Sequence, residues 1–229
     1  MTARRVRAMA LVVAAAVTGA AVAGPAPATG SDVPPARLLS GDAAHGAALD
    51  PVFAQFKLER LGCKFSEQKH IALLARPLSS TGTIYFERDR GIARTTLTPK
   101  RQQVVLTRTS LRIRTDERTE DIPLDKSKDL KAFALIFPAL LRGERTELER
   151  AFDLGLYGSD KAWWALALTP KTDSLRALVR RVVVFGRHGE IVSLQITEAS
   201  GDITDTRLTE LRKDGDVPDA EVAAAFGAR

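Results

Sequence analysis

From Pro51 the apolar positions Val52, Phe53, Phe56 and Leu61 recur at helical spacing, and Gly62 marks the expected end of that helix. At Cys63 the period changes to two. Phe65, Glu67 and Lys69 share one face, Lys64, Ser66 and Gln68 the other, and the pattern runs into the apolar residues 71–74 before Pro77 breaks it. Short segments of strand character follow at 83–88, 92–97, 103–107 and 111–115. Spacings this tight leave no room for crossover helices, so the arrangement is an antiparallel meander. The alternation is interrupted once: Ser127 is a fitting N-cap, and Leu130, Phe133, Phe137 and Leu141 form a helical stripe that Pro138 kinks or ends. Strands resume at 148–156, 162–168, 179–187, 191–197 and 203–211, with the clearest hairpin at Gly186-Arg187-His188-Gly189. Residues 218–226 read as a short terminal helix or an extended arm.

The pattern predicts a mainly β protein with some α: about ten sequential antiparallel strands, which need closure or a cover for their apolar face. The helical stretches at 52–61 and 127–141 are the candidates for that cover. Two architectures fit, an ordinary α+β core and a strongly curved sheet holding an apolar space beneath helical lids. Nine Phe, two Trp and two Tyr are few for filling a barrel interior completely.

The N-terminus changes the picture drawn by charge. Arg4, Arg5 and Arg7 precede an uncharged run that ends Ala21-Val22-Ala23, the form of a secretory signal peptide over residues 1–23 with an A-x-A cleavage site. The competing reading, a membrane anchor, is disfavoured because the run falls short of the roughly 20 residues needed to span a bilayer. The formal charge is +6, with 34 Lys+Arg against 28 Asp+Glu; without the three leader arginines it is 31 against 28, or +3. Residues 24–50, rich in Pro, Gly and Ala without a sustained period, read as a flexible lead, and 51–229 as one folded domain. The only cysteine, Cys63, lies far from the leader, so the lipid-attached cysteine of a bacterial lipoprotein is missing. It reads as a small buried apolar residue. Such a chain is expected in the periplasm.

Signatures of catalysis are missing. The sequence has no G-x-S-x-G, H-E-x-x-H, P-loop or G-x-G-x-x-G motif, and His45, His70 and His188 have no metal-ligand spacing, so neither enzyme activity, cofactor nor metal is expected. An exported hydrolase would need a polar cleft with Ser or Asp beside His188. Arg108, Arg112, Arg114 and Arg118 are followed at once by acidic residues, a solvated face rather than a nucleic-acid footprint. One arginine stands out. By the period of two, Arg88 shares a face with Ile84 and Phe86, and Ile92 and Arg94 repeat the pattern. An arginine there either snorkels to the rim or is held by carbonyls and carboxylates.

The stretch Gly82-Thr83-Ile84-Tyr85-Phe86-Glu87-Arg88 with Gly91-Ile92-Ala93-Arg94 resembles the G-x-[FL]-x-[FV]-x-R-P-x-x-[FL]-x-[WR] segment of LolA-type outer-membrane lipoprotein carriers. Phe65-Ser66-Glu67-Gln68 is similar to the family's F-x-Q segment, and residues 191–197, 201–208 and 217–226 resemble its final strands and arm. The resemblance implies an incomplete, strongly curved antiparallel barrel with a helical lid over an apolar cavity, no catalysis, and a monomer. It also implies acylated lipoprotein cargo, received from an inner-membrane release complex and passed to an outer-membrane acceptor. Arg88 matches the family arginine that bonds carbonyls of the lid helices, and Arg94 offers a second polar contact. The sequence departs from the pattern at Asp89, where the family has proline, and in the glycine-free turn at 108–111. Those departures mark a divergent member, for which a free lipid or glycolipid of a cell-envelope pathway is the alternative cargo. A lining of Ile84, Phe86, Ile92, Ile113, Phe133 and Phe137 would suffice to hold an acyl chain. Burying a sixteen-carbon chain at about 0.8 kcal/mol per methylene gains on the order of 10 kcal/mol before ordering costs.

Overall fold

A computed structural model describes residues 34–35, 37–158 and 163–227. The expected signal peptide at 1–23 and the first part of the lead lie outside the described residues. The described strands are β1 (Arg60–His70), β2 (Leu78–Glu87), β3 (Gly91–Thr98), β4 (Gln102–Leu106), β5 (Ser110–Thr115), β6 (Thr119–Pro123), β7 (Phe152–Tyr157), β8 (Trp164–Pro170), β9 (Val179–Arg187), β10 (Glu190–Glu198) and β11 (Ile203–Lys213). All belong to one antiparallel sheet in the order β6-β5-β4-β3-β2-β1-β11-β10-β9-β8-β7.

The sheet consists of two meanders, β1 to β6 and β7 to β11, joined where β1 pairs with β11 through Phe65↔Leu208, Glu67↔Thr206 and Lys69↔Thr204. Strands β6 and β7 end the order without pairing to each other, which leaves the barrel incomplete, as the resemblance implies. The strand beyond the expected ten is β6. Four of its five residues are exposed and only Ile122 is buried, so it carries no alternating apolar signal. The 186–189 hairpin forms as expected, with His188 (φ 49°) and Gly189 (φ 80°) both left-handed between β9 and β10.

The helices are α1 (Asp50–Ala54), α2 (Lys128–Ala134), α3 (Ile136–Leu141), α4 (Arg145–Glu149), α5 (Asp173–Arg176) and α6 (Asp219–Phe226). Helices α2 and α3 cover the inner face of the sheet. Leu130, Ala134 and Leu135 pack on Val104, Leu106, Leu111 and Ile113, while Phe133 and Ile136 join the main core with Ile84, Phe86 and Ile92 of one meander and Val182 and Val184 of the other. Ser127 caps α2 by accepting a hydrogen bond from Leu130 N. The predicted 127–141 helix is broken at Leu135 (φ −89°, ψ 4°). Pro138 has no N–H to give the Ala134 carbonyl and its ring crowds that carbonyl, so the chain leaves the helix one turn upstream and restarts. On the outer face α6 covers Ala93 and Val105, with Tyr85 beside it.

Several boundaries differ from expectation; the strand expected at 148–156 begins only at Phe152, because Leu148 lies in helix α4, whose turn carries the chain into β7. The first helix stops at Ala54, because Leu61, Cys63 and Phe65 already follow the two-residue period of β1 and are buried through it. Residues 71–74 are not strand: β1 ends at His70, and the loop beyond it presents Leu73 with 94% of its surface exposed. The lead at 24–50 is not flexible throughout. Ala44 bridges to Leu156, His45 Nδ1 lies 2.6 Å from Leu154 O, and Leu49 is buried, because these groups complete the free edge and core beside β7. Among the described residues no helix is long and apolar enough to cross a membrane.

A lidded apolar cavity with a buried arginine

Between the inner face and the α2–α3 pair lies a cavity of about 110 Å³. Strands β2 to β5 contribute Ile84, Ile92, Val104, Leu106 and Leu111, strands β9 and β10 contribute Val182, Leu194 and Ile196, and the lid contributes Phe133, Ile136 and Phe137 among others. Four of the expected lining residues, Ile84, Ile92, Phe133 and Phe137, therefore meet around one space. Phe86 does not: it is fully buried in the main core next to the lid. Ile113 also lies elsewhere, beneath Leu124 and Leu130 in the cluster under α2. Both have the correct parity, but Phe86 lies one pair nearer the β2–β3 turn and Ile113 is farther along β5 than Leu111.

One end of the cavity is polar. Among the described residues its only charged lining groups are Glu67 and Arg94, with Thr206 beside them. Arg94 Nη2 donates to Glu67 Oε1 at 3.0 Å, and the guanidinium lies over the Phe65 ring, 4.2 Å from its centre. Thr206 Oγ1 donates to Glu67 Oε2 at 2.8 Å and Ser80 Oγ to Oε1 at 3.3 Å. The register places these partners together, since Glu67 stands opposite both Ser80 and Thr206 on the flanking strands. Farther along β1, Lys69 Nζ donates to Glu198 Oε1, and both side chains are buried. A buried charge of this kind is tolerated only when paired and hydrogen-bonded.

Arg88 is not in this site. Strand β2 ends at Glu87, so the alternation that was to carry Arg88 inward stops one residue short, and Arg90 N closes the turn on Glu87 O. Arg88 N donates to Glu59 O, and its Nε lies 2.7 Å from Glu59 Oε1. With Glu59, Arg60, Glu87, Asp89, Arg90 and Asp214 it lines a separate cleft of mixed charge. Among the described residues it makes no hydrogen bond to α2 or α3. The arginine inside the cavity is Arg94, whose side chain is 11% exposed against 27% for Arg88. The sequence signal for its partner was the parity of Glu67 with Phe65; what period two does not tell is which of the two faces the lid covers.

Cys63 is buried, and burial pushes its thiol up to about 12, so it is an inert core residue. His188 is exposed in its turn. Three of the four arginines of β5 and its flanking turns pair with acids, Arg112 with Asp121, Arg118 with Glu120 and Arg108 with Glu144, while Arg114 donates to Gln103 Oε1. Among the described residues no three His, Cys, Asp or Glu side chains converge as a metal site.

Solved structures with detectable likeness are distant. A DUF1329 family protein from Desulfovibrio piger is 12% identical with a TM-score of 0.45, and the match covers 79% of this chain and 95% of that one. The LolA superfamily protein NE2245 from Nitrosomonas europaea is 11% identical with a TM-score of 0.42, covering 76% of this chain and 97% of that one. The MucA/MucB complex of Pseudomonas aeruginosa gives 17% identity and a TM-score of 0.40, covering 76% of this chain and 59% of that one. No curated protein matches the sequence. The family model described as "Outer membrane lipoprotein carrier protein LolA-like" matches residues 41–227. That span takes in both meanders, the broken lid and the terminal helix, and the chain belongs to this LolA-like family.

Proposed function

We propose that the protein is a periplasmic carrier, exported by a cleaved leader at 1–23, that takes the acyl chains of lipoproteins into the cavity and delivers them towards the outer membrane without chemistry on them. The single observation that carries this reading is the composition of the cavity wall: aliphatic and aromatic groups from both meanders and the lid, with one charged pair already closed on itself. Such a wall gains from burying a methylene chain. At about 110 Å³ the cavity is below the roughly 300 Å³ at which ordinary ligand clefts begin, so admitting a full chain requires movement of the lid or the sheet. The break at Leu135 supplies a joint within the lid. Membership of the family, whose description names an outer-membrane lipoprotein carrier, supports the same reading. An inner-membrane donor and an outer-membrane acceptor are the partners this function requires.

The test is mass spectrometry of material that co-purifies with the protein from the periplasm, together with displacement of a neutral fluorescent probe by acyl compounds. Acylated polypeptide in the complex is the expected result. A free lipid or glycolipid alone would replace the cargo assigned here with the alternative one. Absence of both, with no probe bound, would sink the carrier reading.

A further inference from the structure

The polar end of the cavity has a defined charge and a defined set of free donors. Arg94 is 9% exposed and uses Nη2 for Glu67, while its Nε and Nη1 have no hydrogen-bond partner among the described residues. The Glu67 carboxylate is fully engaged by Arg94, Ser80 and Thr206. No other charged side chain lines the space, and the nearby Lys69 is closed on Glu198. The site is therefore electrically neutral before any cargo enters, yet still holds unused guanidinium donors.

We infer that this pair makes the cavity selective for acyl chains that end in an uncharged carbonyl, an ester or an amide, over free fatty-acid anions. This inference rests on the carrier reading and specifies the cargo chemistry of the same site. A neutral carbonyl oxygen that reaches Arg94 accepts from Nε or Nη1 and adds no charge, so a guanidinium donor facing the cavity gains its partner. A fatty carboxylate brings a second negative charge to a guanidinium already neutralised by Glu67. In a wall otherwise uncharged and mostly apolar, that charge finds no further cation among the described residues. Glu67 therefore acts against the wrong cargo, while Arg94 acts for the right one.

The experiment uses the mature protein at pH 8 with a neutral naphthylamine probe in the cavity, displaced by N-ethyldodecanamide or by dodecanoate. The amide is expected to displace at a concentration at least tenfold lower. Glu67→Gln leaves Arg94 unneutralised, and the ratio of the two should shift at least tenfold towards dodecanoate, whereas Glu67→Asp, which keeps the charge, leaves it near the native value. Equal displacement by the two ligands in the native protein, or an unchanged ratio in a folded Glu67→Gln variant, overturns the inference while leaving the carrier reading intact. Failure of the probe and both ligands to bind overturns both. Should Glu67→Gln not fold, the double variant Arg94→Met, Glu67→Met strands no charge; it is expected to bind the amide at least fivefold more weakly, and undiminished amide binding overturns the assignment to Arg94.

Discussion

Arg94 on β3 reaches across the whole width of β2 to meet Glu67 on β1, Nη2 to Oε1 at 3.0 Å. The pair is buried on both sides, with side chains 11% and 4% exposed. Removing one member strands the other charge, so Arg94→Leu is expected to cost about 3–5 kcal/mol in a urea titration, and Arg94→Leu with Glu67→Leu to regain most of it. Additive losses in that cycle would show that the two do not act as a pair.

The crossing depends on Gly82 in the intervening strand. A Cβ there would lie 2.0 Å from Thr95 O and 2.8 Å from Phe65 Cε1, against backbone on one side and against the ring that supports the Arg94 guanidinium on the other. Gly82→Ala should therefore destabilise by about 1–3 kcal/mol and loosen lipid binding as well. A variant as stable as the native protein would contradict this geometry.

Pro138→Ala restores the N–H that the Ala134 carbonyl lacks and lets α2 run into α3 as one rod. Far-ultraviolet circular dichroism should show more helix, and stopped-flow uptake of a fluorescent lipid should slow several-fold because the joint at Leu135 has gone. Unchanged uptake with increased helicity would remove the joint from the mechanism.

Arg88→Leu is the contrasting control. Its partner Glu59 is 68% exposed, and ion pairs at that level contribute about 0–1 kcal/mol. Probe affinity and cargo hand-over should stay within twofold of native, whereas a large loss of hand-over would restore Arg88 to the lid.

Helix α6 is fastened by Glu221, whose carboxyl is held down to about 2, first by the hydrogen bond from Arg212 and then by that from Tyr85. A depressed folded value means that the contribution is complete above the ordinary carboxylate value of 4.5 and is lost as pH falls from there towards 2. The protection factors of the α6 amides, in which the intrinsic pH dependence of exchange is divided out, should fall over that window, and Glu221→Gln should show at neutral pH the weaker protection that the native protein shows in acid.

The strands of this fold were legible wherever one face is apolar and the other wetter, as in β1 and β2. They were illegible where burial is one-sided and brief, as in β6 with Ile122 alone. The helical stripe found Phe133, and parity found the inward strand residues Ile84, Ile92 and Arg94. It did not find where β2 ends: Arg88 continues the alternation in sequence, but the turn closed by Arg90 N on Glu87 O has already left the sheet. Nor does period two rank positions along a strand, which is why Ile113 was grouped with the lining although Leu111 fills that place. The opposition of Glu67 to Ser80 and Thr206 depends on pairing β1 with β11, about 140 residues away, and no local pattern encodes that contact.

The two outermost strands never bond to each other. A closed barrel has a fixed circumference, and its bore can widen only if ladder hydrogen bonds break. Here the girth is not fixed: the β6 and β7 margins can part like the lips of a purse while every existing ladder bond survives, with the β1–β11 seam as the fold line. Capacity is then set by how far the margins spread, so under the proposed carrier function one protein would fit acyl chains of different length and number without a preformed space for any of them.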